Sequence, residues 1–204
     1  MSRTRRLLLA VPLALAIAAV PSAVNAQELV HHDKWKDVMV YNPSDGIGPN
    51  FAVPAPDRAI GDITGMHITN TRSSVHVAVY FRALHAPGGE DLFLFSFVTP
   101  AHHAELGITS RAGHLRPTST FDLDADLAPC AGLQVAVDFA HKRVWATIPS
   151  GCLRNPSWVR AGMYDIVRTH PDDEKASHTY VDDALTSKNI DDYGAPALSG
   201  RVYR

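Results

Sequence analysis

Apolar and polar positions alternate with a period of two along much of this chain. After Gly61, the run Ile63 to Thr69 leads to the turn signal Asn70, Thr71, Arg72, Ser73. Val75, Val77, Val79 and Phe81 then alternate with His76, Ala78, Tyr80 and Arg82, the pattern of a half-buried strand. Leu92 to Val98 is nearly continuous in apolar residues behind a Pro87, Gly88, Gly89 turn, which predicts a strand buried on both faces. Leu133, Val135, Val137 and Phe139 alternate again, as do Val144, Ala146 and Ile148; Trp158 to Arg168 and Ser177 to Asp182 add two further strands. Between Ala101 and Ala128 the pattern is weaker, with strands expected near Leu106 to Ser110 and Ser119 to Leu123.

No segment longer than a turn or two has helical spacing. Eight or so short strands with turn signals between them predict an all-β chain: a single β-sandwich of jelly-roll type over residues 61–186. Residues 27–60 read as an irregular N-terminal arm, with one short strand around Val38 and Val40 and a breaker cluster from Asn42 to Pro56. Residues 187–204, with Gly194, Pro196 and Gly200, read as a loose C-terminal tail.

The two cysteines, Cys130 and Cys152, flank one predicted hairpin. Pairing them directly sets Val137 against Trp145 and splits the apolar residues between two faces. A shift of one residue pairs Phe139 with Val144, Val137 with Ala146 and Val135 with Ile148, gathering the apolar set on one face. That register leaves Ala140, His141, Lys142 and Arg143 as the loop. It also puts the cysteines one residue out of step, so an irregularity is expected near Gly132 or Pro149 to Gly151 if they bond.

Residues 1–26 divide as an export signal does: Arg3, Arg5 and Arg6, an apolar stretch from Leu7 to Val20, then Val24, Asn25 and Ala26 before a cleavage point at Gln27. The arginine pair leaves general and twin-arginine export both open. Three of the 19 Lys and Arg lie in this segment and none of the 21 Asp and Glu, leaving 178 residues with a formal charge of −5. An acidic chain of that kind lacks the basic stripe of a nucleic-acid binder, and no second apolar run has the length of a membrane span. A secreted, extracellular location and one disulfide, Cys130 with Cys152, are expected.

Candidate chemistry is sparse. All 11 histidines follow the signal, but the adjacent His31, His32 and Asp33 and the pair His102, His103 lack the spacing of a zinc enzyme. His67 and His76 are candidates for cross-strand neighbours. Asp122, Asp124 and Asp126 start like a calcium loop, yet the sixth position is Leu127 and the twelfth Leu133. Asp172, Asp173, Glu174, Asp182 and Asp183 read by default as solvated loop charge; calcium held around Asp62 and Asp182 or Asp183 is the alternative. No metal ligands, cofactor or catalytic residues are assigned. Gly-x-Ser-x-Gly is absent, and Cys152 is no nucleophile while bridged. Trp145 lies opposite the face of Val144, Ala146 and Ile148. It is core if a second layer covers it, which is the favoured reading, and a candidate ligand platform if the face is open.

Gly61 to Thr64, Val75 to Leu84, Cys130 to Phe139, Ile148 to Leu153, Pro156 to Gly162 and Tyr180 to Ala184 together resemble a group of small secreted bacterial β-sandwich proteins of unknown function with a hairpin disulfide. The resemblance implies the fold and carries no activity. The expected role is a non-enzymatic extracellular module binding a glycan or protein ligand; the alternative is a secreted hydrolase with a dispersed active site.

Overall fold

The computed structural model describes residues 26–41, 52–84, 89–111, 114–170, 172, 177–186 and 196–204, with the side chains of 114–118 left aside. The expected export signal lies outside them, apart from Ala26. Fourteen strands are present among the described residues: β1 (Gln27–His32), β2 (Met39–Tyr41), β3 (Val53–Pro54), β4 (Ile63–Asn70), β5 (Ser74–Phe81), β6 (Glu90–Val98), β7 (His103–Arg111), β8 (His114–Leu123), β9 (Asp126–Leu127), β10 (Gln134–Asp138), β11 (Arg143–Pro149), β12 (Trp158–Arg168), β13 (Thr179–Asp183) and β14 (Val202–Tyr203). They form two antiparallel sheets. A small sheet has the order β1-β4-β5-β11-β10; a large one runs β3-β2-β13-β12-β6-β7-β8-β9, with β14 also on β12. These orders establish the antiparallel sandwich without by themselves defining a jelly roll.

Alternation decides which side chains meet between the sheets. Val75, Val77, Val79 and Phe81 of β5 and Val144, Ala146 and Ile148 of β11 face Phe93, Phe95 and Phe97 of β6 and Val159, Ala161 and Met163 of β12 in one continuous core. β6 is buried along its inner face and, on the outer side, at Ser96. Leu92 and Leu94 on its other side are partly covered, packing with Tyr41, Tyr164, Ile166 and Val181 in a second, smaller cluster. The double burial expected of this strand is therefore half right.

The N-terminal arm holds three strands and belongs to both sheets. β1 pairs with β4 from Gln27 opposite Asn70 to His32 opposite Gly65, and β2 pairs with β13. Its apolar residues are too few to show a period, so this pairing was invisible in the pattern. The described part of the tail, residues 196–204, is also fixed: Val202 is fully buried, and β14 pairs with the start of β12. Gly162 makes this docking feasible, since a Cβ there would stand 1.8 Å from the Ala197 carbonyl oxygen.

Cys130 and Cys152 are disulfide-bonded, with Cα atoms 5.4 Å apart. The hairpin between them corrects the expected register. Val137 pairs with Val144 and Val135 with Ala146, two residues away from the expected pairing, and Phe139 lies in the turn. The apolar residues still share one face, because any shift by two preserves it. The turn decides between such registers. Asp138 accepts hydrogen bonds from the His141 backbone N–H (3.1 Å) and the Arg143 guanidinium (3.2 Å), closing the loop over Phe139 to Lys142. The irregularity expected beside the cysteines is present: β10 starts only at Gln134, Gly132 has φ +85°, and β11 gives way to a 3₁₀ turn, Ser150–Leu153.

Candidate functional site

Two regions collect polar and aromatic side chains: the outer face of the small sheet and the end of the sandwich where the chain passes from β1 to β2. Trp145 belongs to the first. Its neighbours across the ladders are Ala78 and Ala136, and it lies half-buried on the outer face, with the His76 ring 6.0 Å away between centroids. The favoured reading of Trp145 as core is not met: it is half-buried, and among the described residues no second layer shuts it off. Tyr80 (38 % exposed) and Val30 (58 % exposed) continue the same face. Between them, Val30, His32, Gly65, His67 and Tyr80 line a shallow depression of about 230 Å³.

The expected cross-strand relation of His67 and His76 is diagonal: His67 lies opposite Ala78 and His76 opposite Thr69. Burial first, then the neighbouring His67 and Arg143, lower the pKa of His76. A neutral ring there hydrogen-bonds the Thr147 hydroxyl at 3.0 Å.

The other sequence candidates do not converge. Asp124 and Ala125 form a tight turn with positive φ, and Asp124 accepts from the His103 N–H (3.0 Å) and pairs with the His102 ring (2.7 Å). These bonds hold its pKa below the usual carboxylate range. The Asp122-Asp124-Asp126 series therefore crosses a hairpin turn instead of lining one strand face. Asp172 makes an exposed ion pair with Arg111 (2.5 Å), while Asp173 and Glu174 lie outside the described residues.

At the acidic end, solvated loop charge is the wrong picture for Asp62, Asp182 and Asp183, all of which are buried. Asp182 sits on the inner face of β13, directly across the ladder from Asp165, which in turn faces Phe93. Asp182 Oδ2 accepts from the Ile63 N–H (2.6 Å), and its Oδ1 from the Asp183 N–H (3.0 Å). The first bond joins the two sheets. Asp62, just before β4, accepts twice from the Lys36 N–H (3.1 Å each) and faces the Arg82 guanidinium at 3.0 Å. Asp33 and Asp37 enter from the β1–β2 crossing. One oxygen each of Asp33, Asp37 and Asp182 lie within 4.8 Å of one another.

Burial is the first cause that raises every carboxylate here. It pushes Asp33 up to about 7, opposed by the Lys34 N–H and reinforced by Asp37, Asp183 and Asp62. Asp182 is pushed up to about 9, opposed by the Ile63 N–H and reinforced by Asp37, Asp33 and Asp62. Asp37, Asp62 and Asp183 are raised too. Beyond Asp165, the buried Asp91 on β6 is pushed to about 7 against the opposing charge of Arg58. Sequence reasoning singled out Asp62, Asp182 and Asp183, weighed Asp33 only as a neighbour of His31 and His32, and missed Asp37, Asp91 and Asp165. A lone Asp in a weakly patterned arm carries no signal, but an acidic residue at an inward position of an apolar strand, as in Asp165 of β12, does.

Comparison with protein-family models, curated proteins and solved structures finds no match for this chain. Among the described residues no helix is long and apolar enough to cross a membrane.

Proposed function

We propose that this is an exported, non-enzymatic binding module that takes an extended glycan on the outer face of its small sheet. The observation that carries the reading is the open row of Trp145, His76 and Tyr80 beside the depression over Gly65. Aromatic rings at a flat, partly wet surface stack on the apolar faces of sugars, while His67, His76 and Thr147 offer hydrogen bonds at the ring edges. The export signal and the disulfide support an extracellular setting, where such chains are met.

Affinity electrophoresis through gels holding cellulose, chitin, xylan or peptidoglycan fragments tests the reading. One of these should retard the protein, and Trp145→Ala should abolish retardation while leaving the melting temperature within a few degrees. Equal mobility in every gel would overturn it.

The hydrolase reading draws on the same molecule's acidic end, where two carboxylates have pKa values raised to different heights, as acid–base pairs do. It requires substrate to reach Asp182, which is only 4 % exposed. Sugar release from a retained polysaccharide, lost in Asp182→Asn, would favour it.

A further inference from the structure

We propose that β1 is a docking edge for a second copy of this chain, joining two small sheets into one across a twofold axis at Val30. The pairing stands on the strand edge alone; only its consequence for ligand binding rests on the glycan reading.

β1 ends the small sheet, and among the described residues no strand pairs with its far side. The hydrogen-bond pattern tells which of its backbone groups are left over. The Asp33 N–H donates to the Thr64 carbonyl (3.1 Å), and the register continues with His31 opposite Met66 and Leu29 opposite Ile68. Bonded and non-bonded pairs alternate along an antiparallel ladder, so the N–H and C=O groups of Glu28, Val30 and His32 point away from β4. Such a row is a template for another strand, and proteins ordinarily blunt it with lysine, proline or brevity. The other sheet ends are blunted or flanked: β3 finishes at Pro54, β9 has two residues, and β10 packs beside β8. β1 has six residues and neither lysine nor proline.

The side chains say which strand fits. Glu28, Val30 and His32 share the outer face and are all exposed. A twofold axis at Val30 sets Val30 against the partner's Val30, Glu28 against the partner's His32 and His32 against the partner's Glu28. Every pair is complementary. The two valines cover each other, and on either side an imidazole N–H meets a carboxylate. Glu28 is held over the sheet, since its Oε1 already meets His67 Nε2 on β4. These are also the pairs whose outward N–H and C=O groups meet, so backbone and side chains agree on one register. Moving the partner strand by two residues would set Val30 against the partner's Glu28 or the partner's His32 and lose the match.

The consequence reaches the outer face. Val30, His32 and Tyr80 line the depression over Gly65, which lies beside this edge. In the pair, the partner's Glu28 and the partner's Val30 extend its wall, and the two depressions meet across the axis. An extended ligand then spans both copies.

Sedimentation equilibrium of the full protein tests the pairing. One strand pair is a small interface, so a monomer–dimer equilibrium that shifts with concentration is expected. Val30→Lys and Glu28→Lys should each raise the dimer dissociation constant at least tenfold. Trp145→Ala, and Leu127→Lys on the exposed β9, should dimerise like the parent, so lost glycan retention and lost pairing are read apart. On mild oxidation, Val30→Cys should cross-link to itself faster than Leu127→Cys, since directly opposed strand residues stand about 5.5 Å apart at Cα. A monomer at every concentration up to about 1 mM would leave the edge to a strand of another protein and overturn the proposal. A dimer left intact in a folded Val30→Lys or Glu28→Lys variant, or equal cross-linking by the two cysteine variants, would overturn it as well.

Discussion

Asp91 shows what a single buried carboxyl does to stability. It lies on the inner face of β6, 3 % exposed, with Arg58 opposing and Glu90 reinforcing the rise in pKa that burial causes. Its folded value of about 7 exceeds the unfolded one, so the folded state holds the extra proton between roughly pH 4 and 7. Its contribution to stability is therefore fully present below that window and lost as pH rises through it. Urea denaturation at pH 5 and pH 8, in chelator, should show a smaller fall for Asp91→Asn than for the parent; equal falls would mean that Asp91 does not titrate there. Gly61 is constrained differently. It has φ +81°, and a Cβ would come within 2.7 Å of Val167 Cγ2, so Gly61→Ala should cost about 2–4 kcal/mol in the same assay.

Among the elements, the β10–β11 hairpin carries the most local information. Chain-entropy reasoning gives its disulfide roughly 3 kcal/mol of stabilisation, so the Cys130→Ala, Cys152→Ala double variant should lose about that much in denaturant titrations. Thiol titration of the unreduced, denatured protein should find no free thiol. Ile148, fully buried on β11, should cost about 2–5 kcal/mol as Ala, whereas Thr147→Ala on the outer face should change stability far less. The existence and inward face of this hairpin were legible from alternation. Its register was not, because pairings two residues apart bury the same side chains and only the Asp138 turn separates them. β1 and β14 were illegible for a related reason: edge strands with few inward positions have no period to read.

For the whole molecule, the outer face and the acidic end should respond independently. Trp145→Ala should remove glycan retention and leave stability nearly unchanged, since Trp145 is on the outer face and the buried carboxylates lie at the β1–β2 crossing. A large fall in melting temperature together with lost retention would mean the variant is misfolded.

The sequence by itself determined the all-β class, the inward-facing residues of the central strands and the bonded cysteine pair. Each follows from local rules: strand geometry assigns a side to every residue, and a hairpin brings its own flanks together. Only the tertiary structure decided the openness of the Trp145 face and the meeting of Asp33, Asp37, Asp62 and Asp182. Whether a second layer covers a sheet depends on where every other strand goes. The carboxylates meet through contacts such as Ile63 with Asp182, 119 residues apart, and no local pattern of hydrophobicity or charge encodes a pairing at that distance.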